Sequence, residues 1–482
     1  MKKRIPLLLL ICLITIASCI NKKVTRIEAT ISSRSIYLDE DGINLLPYPG
    51  FQKNNPSKME RFVSIPSSDL LDNHIGDMYS LYPQAHPEHP GFENPQDFAE
   101  RINSHGLKYM RVSLDWFDGN EIIEAGSYSE FVIKSQQESA IDALIEKGID
   151  VNYALVFWDE QIEIGESYSR FKDELEIQHY LDYVRFIVDH FKGRIKYYSI
   201  LNEPDIGKGT QQYVAPEDYI ELVKRAVPVI REIDPSAKII IGEVTPLTWK
   251  NSIYYMNQII ESDVLPLVDG LSWHSAGWSS PEYMATEYFE YQVIIQDIIE
   301  KARNNGFDGE FWATEMHWRT SDSPHPDEFD GYSGISAAKY LASSIVRHSG
   351  FGFNIGLAEN LEHVNKQPVI ENLATILAGV EPIEIRIHDD TNFEKLSVYG
   401  FLQQNGDYLI AIWLDEIADD NFPGKVVDIT ITVPYLSANK IMGVDILNSK
   451  QQELVYSTEN STFSLSDFII RDYPICIWIV SN

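Results

Sequence analysis

Tyr198-Ser199-Ile200-Leu201-Asn202-Glu203-Pro204-Asp205 carries an apolar run to its end on a glutamate and then turns into a polar loop. Phe311-Trp312-Ala313-Thr314-Glu315-Met316-His317-Trp318 does the same. Short apolar runs that become polar only where they stop read as buried parallel strands whose C-terminal ends reach the surface. Between them, Lys238-Ile239-Ile240-Ile241-Gly242 is apolar almost throughout and reads as another. Working outward, the same pattern predicts strands at 74–79, 107–113, 149–157, 195–201, 268–273, 310–314 and 351–357. Helical periodicity fills several of the gaps. One helix starts where Asn94 caps and Pro95 takes the first position, and it ends at Gly106. Others are expected at 134–147, 178–192, 216–233 with a kink at Pro228, from Ser280-Pro281 to Gly306, and at 367–378. Eight strand–helix alternations are what a closed barrel needs, and in that fold all strands end on one face. Glu203 and Glu315 are therefore expected on one rim.

From about Val380 the rhythm changes to period two. Lys395–Tyr399, Tyr408–Trp413, Val427–Val433, Phe463–Ser466 and Ile475–Val480 are short strands separated by Asn, Asp, Gly and Ser. The fold class expected is α/β, a (β/α)8 TIM barrel with a C-terminal β-sandwich. The boundaries are a signal peptide at 1–18, a tether with a possible added strand at 19–60, the barrel at 61–379 and the sandwich at 380–482.

A formal charge of −33 excludes nucleic acid as a partner in any ordinary sense, because phosphate binding needs clustered Lys and Arg. A hydrophobic content of 44% is ample for a core. Lys2, Lys3 and Arg4 precede the apolar run Ile5–Ala17, which is too short to span a membrane and reads as a processing signal. It ends in Ile16-Ala17-Ser18-Cys19, similar to the bacterial lipobox, and that resemblance implies lipidation of Cys19. A lipid anchor to the bacterial cell envelope is then the expected membrane contact, and Ile20-Asn21-Lys22-Lys23, which lacks acidic residues, favours the periplasmic side. Of the three cysteines only Cys476 lies in the predicted domains, so no disulfide is expected there and Cys476 reads as a small buried hydrophobe.

Two carboxyl groups about 5 to 5.5 Å apart can divide a double displacement at an acetal carbon, one attacking while the other protonates the departing oxygen. In its motifs and their order the chain resembles the clan A glycoside hydrolases, nearest to families 39, 5 and 30. Their fourth strand ends in Asn-Glu-Pro and their seventh in a glutamate. The resemblance implies that Glu203 is the general acid/base, protonated at rest, and Glu315 the nucleophile. It implies that Asn202 meets the sugar 2-hydroxyl, that Arg111 keeps the nucleophile ionised, and that His274 stands beside it. The chain departs from the clan at the eighth strand, where Phe351–Asn360 holds no tryptophan, and at the third, where Ala154–Glu160 holds no histidine. The implied activity is retaining hydrolysis of β-glycosidic bonds in a carbohydrate substrate, with no cofactor. A glycan-binding envelope lipoprotein without turnover and a transglycosylase using the same pair are the alternatives.

Each of these residues also has an ordinary structural reading. Asn-Glu-Pro makes a good helix start, Arg111 an ion-pair partner, and His274 a satisfied core histidine. Tryptophans crowd the predicted rim. Trp158, Trp278 and Trp318, past strand ends, are expected to contact substrate, with Trp116, Phe117, Trp249 and Trp273 nearby, whereas Trp312, inside a strand, is expected in the core. Asp115, Asp118, Asp159 and Glu160 read equally as hydroxyl-binding groups or solvated loop acids. No metal is expected, because His86, His89, His317 and His325 include loop residues beside prolines instead of a set fixed on strands.

Overall fold

The computed structural model describes residues 27–33, 50–66, 69–80, 94–113, 131, 133, 135–157, 169–207, 212–275, 280–282, 284–321, 331–389, 395–433 and 438–481. Two strands, β1 (Ile27–Ser33) and β2 (Glu60–Arg61), precede the barrel. The barrel strands are β3 (Ile75–Ser80), β4 (Tyr109–Ser113), β5 (Asp150–Leu155), β6 (Tyr197–Ile200), β7 (Lys238–Val244), β8 (Gly270–His274), β9 (Glu310–Met316) and β10 (Asn354–Leu357). Each pairs in parallel with the next and β10 closes onto β3. The helices between are α1 (Pro95–Ser104), α2 (Ser135–Glu146), α3 (Glu174–His190), α4 (Pro216–Ile233), α5 (Lys250–Ile260), α6 (Ala285–Asn304), α7 (Gly334–Gly350) and α8 (Lys366–Ile376). One helix thus follows every strand.

Local signals set many of these boundaries. The Asn94 side chain accepts hydrogen bonds from the backbone of Gln96 and Asp97, Pro95 opens α1, and Gly106 after it takes a positive φ of 78°. Helix α3 starts four residues before the expected 178, because Asp173 caps it through Leu175 N and Glu174 and Glu176 favour its first turn. Helix α4 runs on through Pro228, which lies on its exposed side, where water can take the orphaned carbonyl. Helices α5 and α7 have no counterpart in the periodicity analysis. α7 is buried over nearly its whole length, its serines letting it sit between barrel and sandwich, so no amphipathic stripe marks it.

The barrel floor is filled by Tyr109, Tyr197, Ile240 and Trp312, with the Trp312 ring edge-on to Tyr109 at 5.2 Å. Trp312 is thus a core residue, as expected.

The sandwich comprises β11 (Val380–Ile383), β12 (Ile385–Asp389), β13 (Leu396–Gln403), β14 (Tyr408–Leu414), β15 (Lys425–Thr432), β16 (Ala438–Asp445), β17 (Lys450–Glu453), β18 (Ser457–Glu459), β19 (Thr462–Ile470) and β20 (Ile475–Ser481). The two N-terminal strands belong here. β1 lies between β12 and β15, while β2 extends the other sheet beside β17. Phe51 is buried in the sandwich core as well. The described residues therefore start in the sandwich at β1, build the barrel, and return to the sandwich. Cys476 on β20 is buried, which pushes its thiol up to about 12 and leaves it unreactive at neutral pH. Buried ion pairs, Arg347–Asp415 at 2.6 Å and Lys339–Asp472 at 2.8 Å, fasten α7 to the sandwich. No helix among the described residues is long and apolar enough to cross a membrane.

Candidate active site

Four strand ends on one rim carry the site. Leu201 and Glu203, just past β6, both take left-handed backbone, with φ of 64° and 45°. The Glu203 amide donates to the Glu243 carbonyl on β7 at 2.9 Å, so one strand end fixes the other. His274 is the last residue of β8, and Glu315 lies near the end of β9.

The two glutamates meet over the histidine. His274 Nδ1 donates to Glu203 Oε1 at 2.9 Å and faces Glu315 Oε2 at 3.4 Å. One ligand-type atom from each of the three residues lies within 4.8 Å of the others, so the carboxylates are close enough to act on opposite sides of one bond. These three form a compact group among the described residues, with one ring nitrogen standing between the two carboxylates.

A third carboxylate lies beneath them. Glu243 on β7 is fully buried, and its Oε2 accepts from Arg111 Nη2 at 3.0 Å and from Thr314 Oγ1 at 2.7 Å. The same Arg111 nitrogen donates to Asn202 Oδ1 at 2.6 Å. The described ion pair of Arg111 is thus with Glu243, where Glu315 was expected, and Arg111 reaches Glu315 only as a longer-range charge. Asn202, turned toward the guanidinium, is held in place by it.

Sequence reasoning passed over Glu243 because Gly242 looked like a strand end. The strand in fact continues through a register shift between Ile241 and Val244, with φ of 102° at Gly242 and 49° at Glu243. A Cβ on Gly242 would lie 2.3 Å from the Ser272 carbonyl, so only glycine fits there. The signal that could have found Glu243 is positional: it ends its apolar run as Glu203 and Glu315 end theirs.

Burial and charge divide the titrations. Burial raises Glu243, but Arg111 and then His274 outweigh it and hold the carboxyl at about 2. Burial lowers His274, yet Glu315, Glu203 and Glu243 around it raise the imidazole to about 10. Glu315 is pushed above the ordinary carboxylate range, chiefly by burial. Burial also raises Glu203, but its hydrogen bond to His274 prevails and leaves it below that range. The hydrogen bond from His274 thus favours the charged form of Glu203, and burial the neutral form of Glu315.

Trp318 does not line the site. Its ring is buried, stacked on Tyr340 of α7 at 4.8 Å, and its indole N–H donates to Ser344 Oγ at 3.1 Å. The backbone after β9 folds over α7 and takes the ring away from the rim. Glu359, past β10, accepts from the Trp318 amide and pairs with Lys366, so acid and lysine are both committed to structure. Trp273 is likewise buried. Trp249, which precedes α5, is 42% exposed and is the one described rim tryptophan open to solvent. Trp116, Phe117, Trp158, Trp278, Asp115, Asp118, Asp159, Glu160, His86, His89, His325 and Cys19 lie outside the described residues.

No protein-family model matches the chain. A stretch of 101 residues is 33% identical to avenacosidase 2 of Avena sativa, covering 20% of this chain and 17% of that protein. Among solved structures, a family 39 glycoside hydrolase from Bacteroides cellulosilyticus WH2 superposes with a TM-score of 0.59 at 14% identity, over 86% of this chain and 82% of that one. The family 30 subfamily 8 xylanase of Clostridium acetobutylicum gives 0.55 at 14% identity, over 94% and 100%. The catalytic domain of family 30 xylanase C from Talaromyces cellulolyticus gives 0.57 at 10% identity, over 94% and 100%. At these identities the likeness is one of architecture: the chain shares the overall fold of these glycoside hydrolases.

Proposed function

We propose that the chain is a retaining β-glycoside hydrolase acting on an oligo- or polysaccharide. The observation that carries this reading is the placement of Glu203 and Glu315 at the ends of β6 and β9 with His274 between them. Glu315 attacks the anomeric carbon while Glu203 gives its proton to the departing glycosidic oxygen, and the C–O bond breaks to leave a glycosyl ester on Glu315. Glu203, now a carboxylate, takes a proton from water, and that water displaces Glu315.

This sequence needs the pair's single proton on Glu203 when a sugar is bound. A leaving oxygen against Glu203 supplies an acceptor there, and His274 Nδ1, already 3.4 Å from Glu315, turns its charge to the nucleophile. Titrations then belong to the pair and not to either residue.

The test is release of reducing ends from β-glucans, xylans, mannans, galactans and aryl β-glycosides, with the product anomer followed by proton NMR. A β product first supports retention; an α product first rejects it. Transfer to added sugar in place of water identifies a transglycosylase, and silence across the panel favours a binding protein.

We further propose that Cys19 is lipidated and tethers the enzyme to the bacterial envelope, a reading supported by residues 2–19. Expressed from the full gene, the protein should partition with membranes and Cys19→Ala should not. Equal partitioning of the two would exclude the anchor.

A further inference from the structure

We infer that Glu243 is a positioning residue of this site: its buried charge, an ion-pair distance from Nε2, keeps His274 doubly protonated between Glu203 and Glu315. The histidine is thereby a fixed hydrogen-bond donor to the catalytic pair and not a base. The kinetic consequence rests on the hydrolase reading above; the state of the ring does not.

Geometry carries the inference. The imidazole has a carboxylate on each side, with Nδ1 facing Glu203 at 2.9 Å and Glu315 at 3.4 Å and Nε2 facing Glu243 at 3.6 Å. Carboxylates on both sides favour a positive ring with hydrogen on both nitrogens, with Glu243 acting on Nε2 as a nearby charge, since Nε2 has no hydrogen-bond partner among the described residues. Glu243 has no solvent exposure, and a bulge with two consecutive positive-φ residues turns it inward. Such a conformation persists where surrounding structure imposes it, and it is concentrated at functional sites. The backbone of Glu243 also accepts from Glu203 N–H, so one residue sets both the acid and the histidine.

The charges around the ring agree. Arg111 faces it from β4, Glu203 from the end of β6, Glu243 from β7 and Glu315 from β9. His317 lies 4.0 Å from the Glu315 carboxylate, Arg319 interacts with Glu315, and Asp205 with Glu203. Without Glu243, Arg111 alone would oppose a positive ring from below. The upward shift of His274 to about 10 follows from this surround.

The simpler role for Glu243 is to neutralise Arg111. Glu243→Gln separates the two, because it keeps shape and hydrogen bonding while removing charge. With histidines labelled with nitrogen-15 and the His274 signals identified by difference from His274→Gln, the wild type should show both ring nitrogens protonated at pH 8. A neutral ring at pH 8 overturns the inference without recourse to any Glu243 variant. In Glu243→Gln the ring should lose its proton at lower pH than in wild type, with partial recovery in Glu243→Asp. On a cleaved glycoside, kcat should fall about 10- to 100-fold with little change in KM, and the alkaline limb of the pH profile should move to lower pH. An unmoved His274 titration and alkaline limb would leave Glu243 only its ion pair with Arg111 and overturn the proposal. The NMR arm needs no substrate, so it decides this point even if no glycoside is turned over.

Discussion

Glu315→Gln is expected to reduce turnover of any glycoside the wild type cleaves by about 10⁴-fold or more, as when the nucleophile of a covalent mechanism is removed. The amide nearly matches the carboxylate in shape, so the hydrogen bonds of β9 and the facing His274 should survive and the stability change should be small. Glu203 provides the contrast. Glu203→Ala should slow substrates with poor leaving groups by about 10²- to 10⁴-fold, the usual contribution of general acid catalysis, and spare the first step on activated aryl glycosides. Initial rates on a paired set of alkyl and nitrophenyl glycosides separate the two roles. Equal losses on both leaving groups in Glu203→Ala would remove it as the acid, and a Glu315→Gln enzyme that retains turnover would remove the covalent route.

The residues behind this prediction were legible because their signals are local. An apolar run that stops on a glutamate is visible at Glu203 and Glu315, and Asn94-Pro95 marks a helix start before any tertiary contact is known. What the sequence hides is set by contacts distant along the chain. β1 looks like part of a tether because its partners, Ile385–Asp389 and Val427–Thr432, lie some 350 to 400 residues on. Helix α7 is wrapped on nearly all sides, so the polar face that would mark its period is missing. Trp318 follows a strand as a substrate platform would, yet Tyr340 and Ser344 on α7 draw it into the core. Glu243 stood behind a glycine that reads as punctuation but serves as the first half of a bulge.

That hidden carboxylate makes Arg111 the other position with a large expected effect. Arg111→Met should destabilise the fold by about 3 to 5 kcal/mol, the usual cost of leaving a buried charge without its partner. Both side chains are shielded, with Arg111 4% exposed and Glu243 not at all, so solvent cannot take over from the guanidinium. Met keeps the apolar bulk beside Met78, where Arg111 Nη1 lies 3.9 Å from the sulfur, so the loss is mainly electrostatic. The sign with pH follows from Glu243. Its folded-state value of about 2 lies below the ordinary 4.5, so its stabilising contribution is full above about pH 4.5 and is lost as pH falls toward 2. In Arg111→Met, burial is opposed chiefly by His274 and the Glu243 value rises. The deficit relative to wild type should therefore be largest near neutral pH and shrink as acid protonates Glu243. The double variant Arg111→Met/Glu243→Gln should recover part of the loss, because no unpaired charge remains beneath the site. Urea midpoints between pH 4 and 8 measure all three, and a deficit that is flat across that range, with no recovery in the double variant, would mean that Arg111 stabilises by packing and not by charge.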